Sequence, residues 1–206
     1  TDSDFTLEGH TMSIPLAVPL APGQSLTLDL DFHLDLPPIQ PTSGTEAPKP
    51  FGYSDNQTNL VSWYPYLAAY DPGKGWLLHE RTLYGEHEVY DVADFTLDLS
   101  LVNPPKDLKI AASAPAEPNG EVLHYSLPKA RTFAISASES YVVKSQEVGN
   151  TTIMAYSFPW DAAASEAALN DTVKAVQLYS ALFGSYDRPS LSVVEATFLD
   201  GMEYDG

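Results

Sequence analysis

The chain has 206 residues, of which 44% are hydrophobic and 11% aromatic, and 28 acidic against 10 basic residues give it a formal net charge of −18. This composition predicts a globular protein with a substantial core, and the negative charge argues against nucleic acid or an anionic membrane surface as a partner. The absence of cysteine excludes disulfides, thiolate metal sites and a cysteine nucleophile, and no apolar run approaches the ~20 residues of a membrane span.

An alternation of apolar and polar residues predicts the first long strand, from Leu26 to Leu36. Turn residues at 21–24 precede the strand, and Pro37 and Pro38 end it by removing hydrogen-bond donors. One apolar face and one polar face are typical of an antiparallel sheet that is buried on one side only. The side chains on the predicted buried face are Leu26, Leu28, Leu30, Phe32, Leu34 and Leu36.

Shorter strands are predicted further along the chain, after a break in the pattern. Residues Ile39–Asn59 are polar and rich in Pro and Gly, which predicts a long loop that is either functional or covers a sheet edge. Alternation returns at Phe95–Leu101 and, more loosely, at 132–138, 140–148 and 151–158. Several short strands joined by turns predict a mainly β protein built as an antiparallel β-sandwich or a related open sheet.

The pattern changes to a helical one after Pro159. Apolar residues at steps of three or four predict an amphipathic helix of roughly 22 residues, with Asp161 as its N-cap and Gly184 just past its end. A strand around Val193 follows. The change predicts a β domain over residues 1–160 and the start of an α/β domain over 161–206. The predicted apolar stripe of the helix comprises Leu169, Val173, Val176, Tyr179 and Phe183.

Generic catalytic motifs do not identify a function. The stretches His79–Leu83 and His87–Asp91 are near matches to the zinc-peptidase motif HExxH, but each lacks the second histidine and neither has a helical pattern. We therefore interpret both as ordinary surface residues. The chain contains no G-x-S-x-G elbow and no phosphate-binding glycine loop. The sequence accordingly predicts no catalytic residue and no metal ligand within this chain.

Several segments, each weak as a signal by itself, follow one another with a characteristic order and spacing. They are Ser62–Trp76, Tyr84–Pro104, Lys109–Ala114, Lys129–Val143 and Leu182–Gly206. Together they resemble the M1 family of zinc aminopeptidases, the gluzincins, over most of the chain from about Leu16 onward. The resemblance implies a saddle-like β domain, followed by a helix and a strand that begin a thermolysin-like catalytic domain.

The residues Gly201, Met202, Glu203 and Tyr204 resemble the Gly-x-Met-Glu-Asn motif of that family, in a variant with Tyr after Glu. The resemblance implies that Glu203 holds the free α-ammonium of a peptide substrate, while the backbone just before it, at Gly201 and Met202, lies along the peptide. A carboxylate in that place selects chain termini, because an internal peptide segment leaves the charge unpaired.

The same resemblance implies that the chain is an N-terminal fragment of a longer enzyme. The zinc-binding HExxH helix would lie beyond Gly206, and some opening strands would precede Thr1. The fragment alone is then expected to be inactive and to pack against the missing part of the catalytic domain. Zinc and the peptide substrate would belong to the full-length parent protein, where side-chain preference, a second leukotriene-hydrolase-like activity and a cytoplasmic or secreted location all stay open.

A noncatalytic β-sandwich that serves as a binding or scaffold module is the alternative. It predicts that the parent gene lacks a metal-binding helix and that four aromatic residues form an exposed binding patch. The competing interpretation of these aromatic residues, which we favour, is packing in the core. They are Trp63, Tyr64, Tyr66 and Trp76.

Overall fold

The described part of the chain is mainly β, with several antiparallel sheets and one long helix. The computed structural model describes residues 4–39, 50–78, 89–198 and 201–206. The strands in chain order are β1 (Thr6–Glu8), β2 (Thr11–Ser13), β3 (Gly52–Tyr53), β4 (Thr58–Leu60), β5 (Tyr70–Asp71), β6 (Gly75–Trp76), β7 (Ala93–Ser100), β8 (Lys109–Ala112), β9 (Glu117–Asn119), β10 (Val122–Ala130), β11 (Ile135–Ser138), β12 (Val142–Val148), β13 (Thr151–Ser157) and β14 (Ser190–Val194); the helix α1 spans Ala162–Phe183.

The chain divides into two compact units. Unit 1 comprises Thr1–Asp35 and Ala68–Val89, and unit 2 comprises Leu36–Leu67 and Tyr90–Gly206. The described part of unit 1 contains two short antiparallel hairpins, β1 with β2 and β5 with β6. In the turn of the second hairpin, the Asp71 carboxylate accepts hydrogen bonds from the backbone N–H groups of Gly73 at 2.7 Å and Lys74 at 3.0 Å. These bonds satisfy backbone donors within the turn.

The strand predicted between Leu26 and Leu36 is absent from the structure. Residues 24–36 form no strand, and the apolar side chains from Leu26 to Leu34 are 40 to 50% exposed. Alternation sets which side chains share a face, but a strand also requires a neighbouring backbone that supplies the ladder hydrogen bonds. The described residues of unit 1 supply no such neighbour, so the prediction was wrong for this segment.

Unit 2 contains two antiparallel sheets, in the orders β7-β10-β9 and β3-β4-β11-β8. Its largest core cluster includes Tyr125, Leu127 and Phe133. The inward face of β7 packs on this cluster through Phe95, Leu97 and Leu99, while the residues between them are exposed. The predicted alternation is therefore confirmed from Phe95 to Leu99. Leu101, the last apolar residue of that pattern, lies beyond the strand and is exposed.

A third sheet and the helix form a β-α-β unit in the second half of unit 2. Strand β13 pairs antiparallel with β12 and parallel with β14, and α1 connects the two parallel strands. Leu169, Val173 and Val176 on α1 pack against Ile153 of β13, where all four side chains are buried. Burial of this stripe confirms the predicted helix and explains its position on the sheet.

The last two residues of the predicted stripe are exposed, Tyr179 to 57% and Phe183 to 82%, so the stripe is buried only from Leu169 to Val176 in this chain. The helix ends agree with the predicted ones, although the Asp161 side chain makes no capping hydrogen bond. At the other end, Gly184 adopts a φ of 106° and donates its N–H to the Ser180 carbonyl at 3.2 Å. A residue with a Cβ atom is strained in this conformation, which accounts for glycine there.

Two further predictions refer to segment boundaries. The predicted loop Ile39–Asn59 contains β3 and the start of β4, so residues 50–59 are not irregular throughout. Its residues 40–49 lie outside the described residues. The predicted domain boundary at Trp160 falls between β13 and α1, two elements of one β-α-β unit. The division into domains stays a prediction.

The four candidate surface aromatics fall in two groups. Trp63 and Tyr64 pack against the large core cluster, as the core interpretation predicted. Tyr66 in unit 2 and Trp76 in unit 1 are each about half exposed. Within the described ranges of the chain, no helix is both long enough and apolar enough to cross a membrane.

Candidate functional site

A buried glutamine joins the segment that follows β14 to the sheet that contains β4 and β11. Gln57 is only 3% exposed. Its Nε2 donates to Ser136 Oγ at 2.8 Å, to the Tyr141 hydroxyl at 2.6 Å and to the Glu195 carbonyl at 3.2 Å. Its Oε1 accepts from the Thr197 N–H at 3.0 Å. Because both ends of the amide are bonded, Gln57 fixes the backbone at 195–197.

Tyr141 and Ser136 extend this network. The Tyr141 hydroxyl lies 3.1 Å from the Glu195 carbonyl, and Ser136 Oγ donates to Asn59 Oδ1 at 2.6 Å. Burial raises the pKa of Tyr141 to about 12, against the smaller lowering effect of its hydrogen bonds to Ser136 and Gln57. The hydroxyl therefore stays protonated and remains able to donate at physiological pH.

The Glu195 carboxyl lies at the turn that leads into α1. Its Oε2 accepts the Phe158 N–H at 2.7 Å. Burial raises the pKa of Glu195, and the Asp161 carboxyl adds to the increase through a hydrogen bond and its charge, whereas the Phe158 N–H lowers it. Glu195 thus joins two parts of the β-α-β unit, with its backbone held by Gln57 and its side chain held at Phe158.

Glu195→Gln is expected to stabilise the chain near neutral pH and to have little effect in acid. Because the pKa of Glu195 is higher in the folded chain than in the unfolded chain, folding favours the protonated carboxyl. Stability from this group is full below its ordinary pKa and is lost as the pH rises through the raised value. Glutamine still accepts the Phe158 N–H without a charge, and solvent screening keeps the gain below about 1 kcal/mol.

Thermal unfolding at about pH 4 and about pH 7 checks this expectation, since the first value lies below the ordinary pKa of a glutamate carboxyl and the second lies above it. Glu139→Gln is the matched control, because Glu139 is exposed. An equal change in Tm at both pH values for Glu195→Gln would contradict the assignment of the raised pKa to this group.

Asp205 attaches the segment Gly201–Gly206 to the rest of unit 2. The Asp205 Oδ2 accepts from the backbone N–H groups of Arg131 at 2.8 Å and Thr132 at 3.1 Å. In return, the Asp205 N–H donates to Thr132 Oγ1 at 2.9 Å. Hydrogen bonds from N–H groups to a carboxylate are among the stronger ones in proteins, so Asp205 fixes this segment to the connection between β10 and β11.

Two other residues strengthen the attachment. Arg188 Nη2 lies 3.6 Å from the Asp205 carboxylate and donates to the Lys129 carbonyl at 2.8 Å. Gly206 has a φ of 106° and lies so close to the Ser113 backbone that a Cβ atom would overlap the Ser113 carbonyl. Only glycine permits both this conformation and this approach.

A small cleft lies beside this segment. It has a volume of about 140 Å³ and is lined by residues of β4, β8, β11 and β14 together with Met202, Tyr204, Asp205 and Gly206. Asn59 and Ser136 supply polar groups within a lining that otherwise includes several apolar side chains. Such a cleft can take a small group that has an apolar part, which contacts the apolar side chains, and a polar atom, which hydrogen bonds orient.

The predicted site residues lie on this segment. Met202 lines the cleft and is 39% exposed, and Gly201 is exposed. Glu203 is exposed, and within the part of the chain that the structure describes its carboxylate has no hydrogen bond or ion pair. The carboxylate is therefore available to a cation from outside the chain. Its predicted binding role stays a prediction.

The residues that hold this site were not found from the sequence. Gln57 lies in a stretch whose sequence predicts a loop, and its hydrogen-bond partner Thr197 is 140 residues away. Tyr141 and Asp205 likewise bond across 54 and 73 residues. No local pattern marks such contacts, because spacing along the chain informs only about neighbours on the same element. The one signal in the sequence that pointed to this segment was a pair of acidic residues, Glu203 and Asp205, two positions apart.

No metal centre is evident in the described ranges, where no three His, Asp or Glu side chains are grouped to hold an ion. The histidines of the two near matches to HExxH, His79 and His87, lie outside the described residues. No protein-family model matches the chain, and no curated protein matches it.

Proposed function

We propose that the chain is part of an M1-like zinc aminopeptidase, which releases N-terminal residues from peptides, and that Glu203 binds the α-ammonium of the substrate. The observation that carries the proposal is the state of Glu203. Its carboxylate is exposed and unpaired among the described residues, on a segment that Asp205 attaches to unit 2 and beside a cleft. The resemblance of Gly201–Tyr204 to the substrate-binding motif of the family gives this carboxylate its role.

The chemistry of recognition follows from the charges. An α-ammonium offers three hydrogen-bond donors and one positive charge, and a carboxylate without other partners can accept them. A peptide bound with an internal residue at this place would bring no charge, so it would lose the interaction and leave the carboxylate desolvated and unpaired.

The proposal assigns substrate binding, and not the chemical step, to this chain. The resemblance to the M1 family assigns the metal and the groups that act with it to the full-length parent protein, and no three His, Asp or Glu side chains of the described residues are grouped to hold an ion. The chain alone is therefore expected to bind no stoichiometric zinc and to hydrolyse no peptide. In this proposal the β-rich part of the chain corresponds to the saddle-like domain, and α1 with β14 begins the thermolysin-like domain.

The exposed face of α1 is consistent with a helix that packs on more of such a domain. A groove of about 710 Å³ runs between the second half of α1 and the connection to β14. Leu178, Tyr179, Leu182 and Phe183 are all more than half exposed. Contiguous apolar side chains of this kind usually mark an interaction surface. We propose that the remainder of the catalytic domain covers them.

Reading the parent gene downstream of Gly206 tests the proposal. An HExxH sequence followed by a downstream glutamate supports it, because those residues would supply the zinc site of the proposed family. A frame without the two histidines contradicts it. The noncatalytic binding or scaffold module would then be the better account, with the half-exposed Tyr66 or Trp76 as its aromatic contact residue.

A further inference from the structure

We propose that Asp205 is a positioning residue for Glu203, an inference that rests on the proposed function. Glu203 has no bond of its own to the described residues, so its place is set by the backbone that carries it. A carboxylate that must meet an ammonium in one orientation needs that backbone to be fixed in advance. The question is which residues fix it.

The segment is anchored on both sides of Glu203. Upstream, Gln57 Oε1 accepts the Thr197 N–H at 3.0 Å. Downstream, Asp205 makes its bonds to Arg131 and Thr132. Holding the backbone beside Glu203 in one conformation costs conformational entropy, which such contacts must offset. Asp205 lies only two residues from Glu203, whereas Thr197 lies six residues from it, so loss of the Asp205 contacts is expected to displace the Glu203 carboxylate more.

The two acidic residues have different surroundings. The Asp205 carboxylate accepts from two backbone N–H groups and lies 3.6 Å from Arg188 Nη2, so protein donors occupy it. The Glu203 carboxylate has no such partners in the described chain. Because Asp205 is already paired, it does not compete for the substrate ammonium. One carboxylate thus holds the segment, and the other is left for the ligand.

A double-mutant cycle in the complete enzyme tests the inference, with kcat/KM measured on an aminoacyl p-nitroanilide. Asp205→Ala is expected to lower kcat/KM about 10-fold in the wild-type background and less than about 2-fold in the Glu203→Gln background, since a residue that acts through Glu203 has little left to affect. Equal losses in both backgrounds would show a structural role alone and would overturn the inference.

Conservative variants at Thr132 distinguish a loss of positioning from a folding defect. Thr132→Ser keeps the oxygen that accepts the Asp205 N–H and should retain the wild-type kcat/KM, whereas Thr132→Val removes it and should follow Asp205→Ala. Hydrogen exchange at residues 201–206 should quicken in Asp205→Ala and Thr132→Val only. Unchanged exchange in both variants would also overturn the inference. If the wild-type enzyme hydrolyses no aminoacyl substrate, the proposed function fails, and the exchange data still report whether Asp205 holds the segment.

Discussion

Replacing Glu203 by glutamine in the complete enzyme is expected to lower kcat/KM for peptides with a free N-terminus by about 100-fold. Loss of one partner of a desolvated charge pair typically costs 2 to 5 kcal/mol, and each 1.4 kcal/mol is about a factor of ten. Glutamine has nearly the same shape, so the change removes the charge and little else. Steady-state kinetics on an aminoacyl p-nitroanilide measure the effect.

The fold should be unaffected, because the Glu203 carboxylate has no partner among the described residues whose bond would be lost. Glu139→Gln is the matched control, since Glu139 is also exposed in unit 2 and lies outside the Gly201–Gly206 segment. Both variants should unfold at the wild-type Tm. A Glu203→Gln enzyme with unchanged kcat/KM would remove the amine-binding role from this residue.

Gln57→Leu is expected to destabilise the chain by about 3 kcal/mol. Leucine fills a similar volume but cannot bond to Tyr141, Glu195 or Thr197, whose polar groups would remain inside the protein. A buried donor or acceptor left without a partner costs about 1 to 3 kcal/mol, and several are affected here. For a chain of this size the expected fall in Tm is roughly 6 to 12 °C.

The same substitution at an exposed position provides the control. Gln146 lies on β12 with its side chain exposed, and Gln146→Leu should change stability by no more than about 0.5 kcal/mol. Differential scanning calorimetry of both variants measures the contrast. Equal Tm values for the two variants would mean that the network around Gln57 contributes nothing to the fold.

Local sequence patterns predicted the elements whose partners lie close in the chain. Strands β12 and β13 form a hairpin, and α1 packs back on β13 through Leu169, Val173 and Val176. In each case the periodicity and the packing partner lie within residues 142–183. The bounds of α1 agree with the prediction because a helix satisfies its own backbone hydrogen bonds and depends on the rest of the fold for burial only.

The segment from Leu26 to Leu36 shows the opposite case. Its alternation is more regular than that of β12, yet it forms no strand. A strand needs a second strand beside it, and nothing in a period of two says where that second strand is. The candidate site is similar in this respect. The motif at Gly201–Glu203 is visible in the sequence, but Gln57 and Asp205, which hold it, were recognisable only from contacts across the fold.

Zinc-dependent hydrolysis by the complete parent protein tests the central claim most directly. The measurement compares the release of the N-terminal residue from a short peptide with a free amine and from the same peptide acetylated at its N-terminus, before and after removal of the metal by a chelator. The account predicts release from the free peptide only, loss of activity without metal, and recovery when zinc is returned. Equal cleavage of both peptides, or activity that survives without metal, would contradict it.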